Sequence, residues 1–349
     1  MLQKIKYPVF LVLIFTIGCL RTKETSIERA SRLEMAEKYS AEKSGKALLI
    51  WKNGDQILER YQNGADPEKR YPIFEASTLL SGLMALAAID DGILTLDELV
   101  SKTLTEWKKD PQKSKITVSQ LLHLTSGLST DETYPSIKQS IKAPLRHPPG
   151  EEFRYGPTAF QLFGLLIERR VGLDYLRNRV LKPLGIKGGY WITTQECTQS
   201  NVTMFPRFFD GANLTAQELG RIGNFLVDGG VWNEETIVND ISQLTVPTTA
   251  SPSYGMGVWL NKKIKSDNDF LQKLPEDIML LQGLNNERLI YDGAPTDLYM
   301  AAGRSNRRLY IIPSKKLVVV RLGTADLTWS DAEFLARLLN GAKLTSRHK

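Results

Sequence analysis

Cysteine and histidine are the scarcest reactive residues in this 349-residue chain, which has two cysteines, Cys19 and Cys197, and three histidines, His123, His147 and His348. Two cysteines cannot build a disulfide framework. Neither a paired Cys-x-x-Cys nor a His-Glu-x-x-His occurs, so no metal site is expected, and no cofactor motif is evident. His123 ends an apolar segment, His147 precedes Pro148-Pro149 and His348 lies in the tail. A Ser-His-Asp triad therefore has no evident base, and the Gly-x-Ser-x-Gly elbow is missing too. Gly255-Met256-Gly257 lacks the third glycine of a dinucleotide loop. Neither sign of charge dominates: 45 Lys+Arg face 39 Asp+Glu, for a net +6. The basic residues are scattered rather than gathered into an aromatic-laced stripe, which argues against nucleic acid as a partner. No apolar run reaches the ~20 residues that span a bilayer, and no internal repeat is visible.

What is present is ordinary globular composition, 42% hydrophobic and 24% charged, with 26 Gly and 16 Pro. A chain of this length builds a sizeable core without staples and suits one large α/β domain with a helical subdomain. Strand-like runs at Ala47–Lys52 and Gln56–Tyr61 flank Asn53-Gly54-Asp55, a hairpin signal. Leu79 to Ile89 is apolar on every side, which predicts a helix buried within the protein. Ile116–Leu124, Ala159–Arg170 and Ala216–Val227 show helical spacing. Strand signals return at Tyr254–Leu260, Arg308–Ile312 and Leu317–Leu322, and Asp331–Leu339 reads as a closing helix. The expected fold class is α/β (α+β): one antiparallel sheet built from both termini, flanked by helices, with a helical subdomain between. Lys262–Leu298 is the least regular stretch and reads as a flap or insertion.

The first residues read as an address. Lys4 and Lys6 precede the apolar run 7–18, which ends in Thr16-Ile17-Gly18-Cys19. This resembles the cleavage and lipidation box of bacterial lipoproteins, with Thr16 where that box usually carries Leu. The resemblance implies removal of 1–18, a lipid on Cys19, and a membrane-tethered protein of the bacterial cell envelope, periplasmic or surface-facing. Losing Lys4 and Lys6 would lower the formal charge from +6 to +4. The expected layout is a signal peptide at 1–18, a tether at 19–44 running into a short helix, a domain at 45–342 and a tail at 343–349.

Several phrases, in order, carry a wider resemblance. They are Tyr71-Pro72-Ile73-Phe74 before the buried helix, Asp91-Gly92-Ile93-Leu94-Thr95-Leu96 after it, Leu124-Thr125-Ser126-Gly127-Leu128, Pro149-Gly150-Glu151-Glu152-Phe153-Arg154-Tyr155-Gly156-Pro157, Leu214-Thr215-Ala216, Asp228-Gly229-Gly230-Val231-Trp232 and Tyr254-Gly255-Met256-Gly257. Over roughly residues 45 to 342 the chain resembles the serine β-lactamase and penicillin-binding-protein superfamily, in the branch of class C β-lactamases, esterases and nylon-oligomer hydrolases. The resemblance implies a serine at the start of the buried helix as nucleophile and a lysine one turn later to lower its proton-transfer barrier. It also implies a tyrosine from a Tyr-x-Asn element, and a late-strand Lys/His-x-Gly element that helps to stabilise an oxyanion.

This chain departs at those positions. Counting back from Asp91-Gly92 puts Glu75 at the serine position and Thr78 at the lysine position, and Tyr71 to Ser101 contains no Lys or Arg at all. Slipping the register to make Ser77 the nucleophile puts Leu80 where the lysine belongs. Glu75 is either a substitute carboxylate or an acid favoured in a first helical turn by the macrodipole, an effect of ~0.3–1 kcal/mol. Ser77 is either a nucleophile or a capping hydroxyl. Tyr155 is kept, but Pro157 replaces the usual Asn. In Met300-Ala301-Ala302-Gly303-Arg304, Gly303 would mark the backbone approach that forms an oxyanion pocket, and Arg304 either binds a carboxylate or is a plain surface charge. The favoured expectation is an exported, lipid-anchored family member that is catalytically impaired but keeps a cleft for a small-molecule or peptide ligand. Its alternatives are an active hydrolase of esters, amides or cell-wall peptides using Ser77 or Glu75 with Tyr155, and a purely structural envelope lipoprotein.

Overall fold

Thr25 opens the first helix: its hydroxyl accepts from the Glu28 N–H while the Glu28 carboxylate accepts from the Thr25 N–H, a reciprocal cap. The helix, α1, runs Ser26–Glu42 and buries Ala36, Tyr39 and Ser40. Most of the stretch read as a tether and short helix is thus a 17-residue element packed on the body. The computed structural model describes residues 25–187, 190–197, 202–263, 288 and 290–342. Cys19 and the leader, the tail from 343, and most of the Lys262–Leu298 stretch lie outside them.

Strands β1 (Gly45–Lys52) and β2 (Asp55–Tyr61) turn over Asn53 and Gly54, both in the left-handed region at φ 53° and 86°. A short β3 (Tyr71–Pro72) and a 3₁₀ turn, Phe74–Ser77, lead into α2 (Thr78–Asp90), which is buried from Thr78 to Ala88 as its uniformly apolar sequence predicts. Helices α3 (Val118–Leu122) and α4 (Ile137–Lys142) each start at a reciprocal cap, Thr117 with Gln120 and Ser136 with Gln139. Helix α5 (Pro157–Val171) starts on a proline, which has no N–H to leave unpaired there. Strands β4 (Tyr190–Trp191), β5 (Thr193–Cys197), β6 (Val202–Pro206) and β7 (Ala212–Leu214) precede α6 (Ala216–Val227), and a small hairpin of β8 (Val231–Trp232) and β9 (Glu235–Thr236) follows it.

Strands β10 (Trp259–Leu260), β11 (Tyr299–Gly303), β12 (Arg307–Ile312) and β13 (Leu317–Gly323) then join the first two, and α7 (Asp331–Asn340) closes the chain. The main sheet is antiparallel in the order β10-β11-β12-β13-β1-β2, so strands from both ends of the chain meet at its centre. Alternate residues face opposite layers. Trp51 lies against Gly220 of α6, where an added Cβ would sit 2.1 Å from the indole, while Tyr310 stacks on Phe334 of α7. Helices α1 and α7 therefore cover one face and α6 the other.

Two expectations change. Of Tyr254–Leu260 only the last two residues are strand; Gly255 and Gly257 fold back as a tight turn, and a Cβ on Gly257 would lie 2.1 Å from the Thr78 carbonyl. The expected Ile116–Leu124 helix shrinks to Val118–Leu122, because Thr117 caps it and Leu124 turns left-handed at φ 58°.

Candidate active site

The turn Phe74–Ser77 places the key side chains. Phe74 sits at φ 51°, a conformation costly for a bulky residue. Its ring lies under the guanidinia of Arg304 and Arg307, at 4.8 and 4.7 Å. Strand β11 approaches the same turn so closely that a Cβ on Gly303 would lie 2.1 Å from the Ile73 carbonyl and 3.2 Å from the Glu75 nitrogen. Glycine is the residue this crossing requires.

Glu75 lines a cleft of about 300 Å³ together with Thr130, Tyr155, Pro157, Asp210 and Arg304. One carboxylate oxygen, Oε1, lies 2.8 Å from Arg304 Nε, and the other accepts from the Arg304 backbone N–H at 2.8 Å. That N–H follows Gly303, which the resemblance implies to mark an oxyanion pocket, and the Glu75 carboxylate occupies it. Arg304 Nη2 reaches Asp210 at 2.7 Å and Nη1 reaches the Tyr134 hydroxyl at 3.2 Å. Asp210 is held in turn by Arg207, whose guanidinium lies 3.9 Å from the centre of the Tyr134 ring. Burial alone would lower the pKa of Arg304; the Tyr134 hydroxyl and the charges of Glu75 and Asp210 outweigh it and hold the pKa above its ordinary value.

The other family positions are equally engaged. Thr78 Oγ1 lies 2.8 Å from the carbonyl oxygens of both Glu75 and Gly257, a hydroxyl bracing two backbone turns at the position where the resemblance implies a lysine. Tyr254, fully buried, has its phenol pKa pushed up by burial, partly offset by the Thr78 hydroxyl. Ser77 is fully buried: its hydroxyl donates to the Phe74 carbonyl and accepts from the Ala212 N–H, so it ties β7 to the turn and does not line the cleft. It makes no side-chain cap to α2. Tyr155 lines the cleft from within an aromatic cluster, 5.2 Å from Phe209 and 5.3 Å from Trp259 between ring centres. Pro157 adds an apolar wall and starts α5. On β11 the residues before Arg304 are Ala301-Ala302-Gly303, with no Lys or His among them.

The structure thus brings Glu75, Tyr155, Pro157 and Arg304 to one cleft, with Gly303 beneath it, and turns Ser77 away. Sequence reasoning missed Arg207, Asp210 and Tyr134. The available signal was Arg207-Phe208-Phe209-Asp210, two opposite charges inside an apolar stretch just before Leu214-Thr215-Ala216. Among the described residues no cluster of His, Cys, Asp and Glu is arranged to hold a metal ion.

A six-stranded antiparallel sheet between helical layers, with a cleft between the end of β11 and the turn before the buried helix, defines a β-lactamase/transpeptidase-like fold. The family model described as Beta-lactamase matches residues 33–339, and the chain belongs to that family. Among curated proteins, Protein flp of Staphylococcus aureus (strain MW2) is 32% identical over 168 residues, 41% of this chain and 34% of flp. Monacolin J acid methylbutanoyltransferase of Aspergillus terreus is 30% identical over 146 residues, 32% of this chain and 35% of that enzyme. The chain thus matches about a third of the length of these curated relatives. Among solved structures, EstCE1, a hydrolase with promiscuous acyltransferase activity, superimposes with TM-score 0.66 at 16% identity, covering 90% of this chain and 98% of its own. A penicillin-binding-protein homologue from Caulobacter crescentus gives TM-score 0.64 at 16% identity, over 89% and 96% of the two chains. At that identity the likeness shows the fold.

Proposed function

We propose that this chain is an exported, lipid-anchored member of the β-lactamase-like serine hydrolase superfamily that has exchanged hydrolysis for ligand binding in the same cleft. One observation carries the reading: Glu75, which the resemblance puts at the nucleophile position, ion-pairs with Arg304, and Thr78, which it puts at the lysine position, is tied to two backbone carbonyls. Acyl transfer by this fold needs an activated hydroxyl and an empty oxyanion pocket together, and groups that act as a unit lose orders of magnitude in rate when one is missing. Ser77 offers no replacement, since its hydroxyl is buried and occupied on both sides. Glu75 as a nucleophile with Tyr155 would first have to leave the Arg304 N–H and its ion pair with the Arg304 guanidinium. The anchoring half of the reading rests on the Thr16-Ile17-Gly18-Cys19 box.

The test is intact-protein mass after exposure to a fluorophosphonate. We expect no adduct on the wild type or on Ser77→Ala, and an adduct on the Glu75→Ser/Thr78→Lys variant. An adduct on the wild type that disappears in Ser77→Ala or Glu75→Gln makes this chain an active hydrolase and overturns the reading.

A further inference from the structure

A concavity of about 480 Å³, larger than the cleft, lies at the other end of β11. The strand leaves it at Tyr299 and reaches the cleft at Gly303, about 14 Å of strand away. It opens between the end of α6, the 3₁₀ turn Ile241–Thr245, β10 and the Pro313 turn that follows β12. Its inner wall is apolar and buried, formed by Leu226, Ile241, Leu260 and Leu298. The volume falls within the ~300–1,000 Å³ of small-molecule sites, where an apolar lining with a few placed polar groups is usual.

One polar group is set deep in it. Tyr299 pairs with Ile311, and Ile311 with Val318, whose side chain packs against Gly223 of α6. Residues directly opposite one another share a face, so the Tyr299 side chain points to the α6 side, into the concavity. It is 3% exposed, and among the described residues its hydroxyl has no hydrogen-bond partner. Burial, reinforced by the Asp297 charge, raises the phenol pKa, so the group stays protonated and presents a donor. A buried hydroxyl without a partner is costly, and the concavity is where a partner fits. The mouth carries both signs of charge. Asp297 is taken up by the Ser314 N–H and hydroxyl, and Asp240 by the Ser242 N–H and the Gln243 amide. Lys262 lines the same mouth. Two engaged carboxylates beside one lysine demand no charge of a ligand, which leaves the buried phenol as the discriminating group.

We propose that this concavity binds an uncharged small molecule with an apolar body and a carbonyl or ether oxygen that accepts from the Tyr299 hydroxyl. The apolar body lies on Leu226, Leu260 and Leu298. The site is separate from the cleft, and it holds whether the cleft binds a ligand or hydrolyses one.

Benzophenone and diphenylmethane carry the same two rings, and only benzophenone has an acceptor between them. Binding of each to the full chain is measured by calorimetric titration, and irradiation of the benzophenone complex followed by peptide mass mapping locates the probe. We expect benzophenone to bind more tightly than diphenylmethane and to cross-link at the end of α6 and around Leu298. Tyr299→Phe should weaken benzophenone about fivefold and leave diphenylmethane unchanged. Val227→Trp, at the partly exposed mouth, should abolish binding of both probes. Thermal melts check that each variant folds; if Tyr299→Phe does not, the cross-link position and Val227→Trp still decide. No binding of benzophenone, or cross-links confined to the cleft around Tyr155 and Phe209, overturns the proposal. So does benzophenone binding that survives either substitution undiminished, or an equal loss of both probes in Tyr299→Phe.

Discussion

Two arginine–carboxylate networks meet back to back at Gly303. On one side, Arg308 donates to the Gly303 carbonyl at 2.8 Å and pairs with Asp331 at 2.9 Å, and the Tyr310 hydroxyl also donates to Asp331. Arg308 and Asp331 are 2% and 1% exposed. On the other side, the Arg304 N–H and guanidinium hold Glu75 while Asp210 takes the rest of the charge; Arg304 and Glu75 are 38% and 12% exposed. The residue types are alike, yet the first network is sealed between sheet and helix and the second opens on a cleft. Sealed charges must be matched within the protein, because leaving one unpaired carries its full desolvation cost. Charges on a cleft are shared with water, so they are free to exchange partners when a ligand arrives.

The largest expected effect breaks the sealed side. Asp331→Ala strands Arg308 in the interior and should cost about 3–5 kcal/mol in urea unfolding. Glu75→Gln should cost about 1 kcal/mol or less, since Asp210 and solvent still serve Arg304. Equal losses from the two substitutions would erase the distinction. A third effect sharpens it at alkaline pH. Burial, reinforced by Asp331, raises the Tyr310 phenol well above its ordinary value, and burial pushes nearby Tyr39 up to about 12. A phenol whose folded pKa exceeds its unfolded value of about 10 contributes stability that is fully present below pH 10 and lost as pH rises through the folded value. Unfolding midpoints should therefore fall between about pH 10 and 12, and Tyr39→Phe should flatten part of that fall. A midpoint independent of pH in this range would rule out the effect.

Periodic and local features were legible in the sequence. The β1–β2 hairpin, α2, α6 and the β12–β13 pair follow from turn residues and hydrophobic spacing, and the observed bounds differ from the expected ones by at most two residues. Strand β11 was not legible. Its signal is five residues, Tyr299–Gly303, buried throughout and therefore without alternation. The misread at Tyr254–Leu260 has the same root: of two glycines inside an apolar run, Gly257 serves a contact with Thr78, far away in sequence, and Gly255 one with Leu244. At the site, counting along one helix located Glu75 and Thr78. The partners of Arg304 come from three separate segments, around Phe74, Tyr134 and Asp210, and only the folded chain brings them together.

The pairing of β1 with β13 also sets an order of events in time. Trp51 finds its partner Val318 only after the whole stretch between them has been made. Until then the hairpin of β1 and β2 has a bare inner edge, and α6 has no completed surface to rest on. Assembly is therefore governed by the arrival of the last strands, and closing so distant a pair is slow. A chain stopped before β13 would carry every residue of the cleft and still have no sheet to hold it.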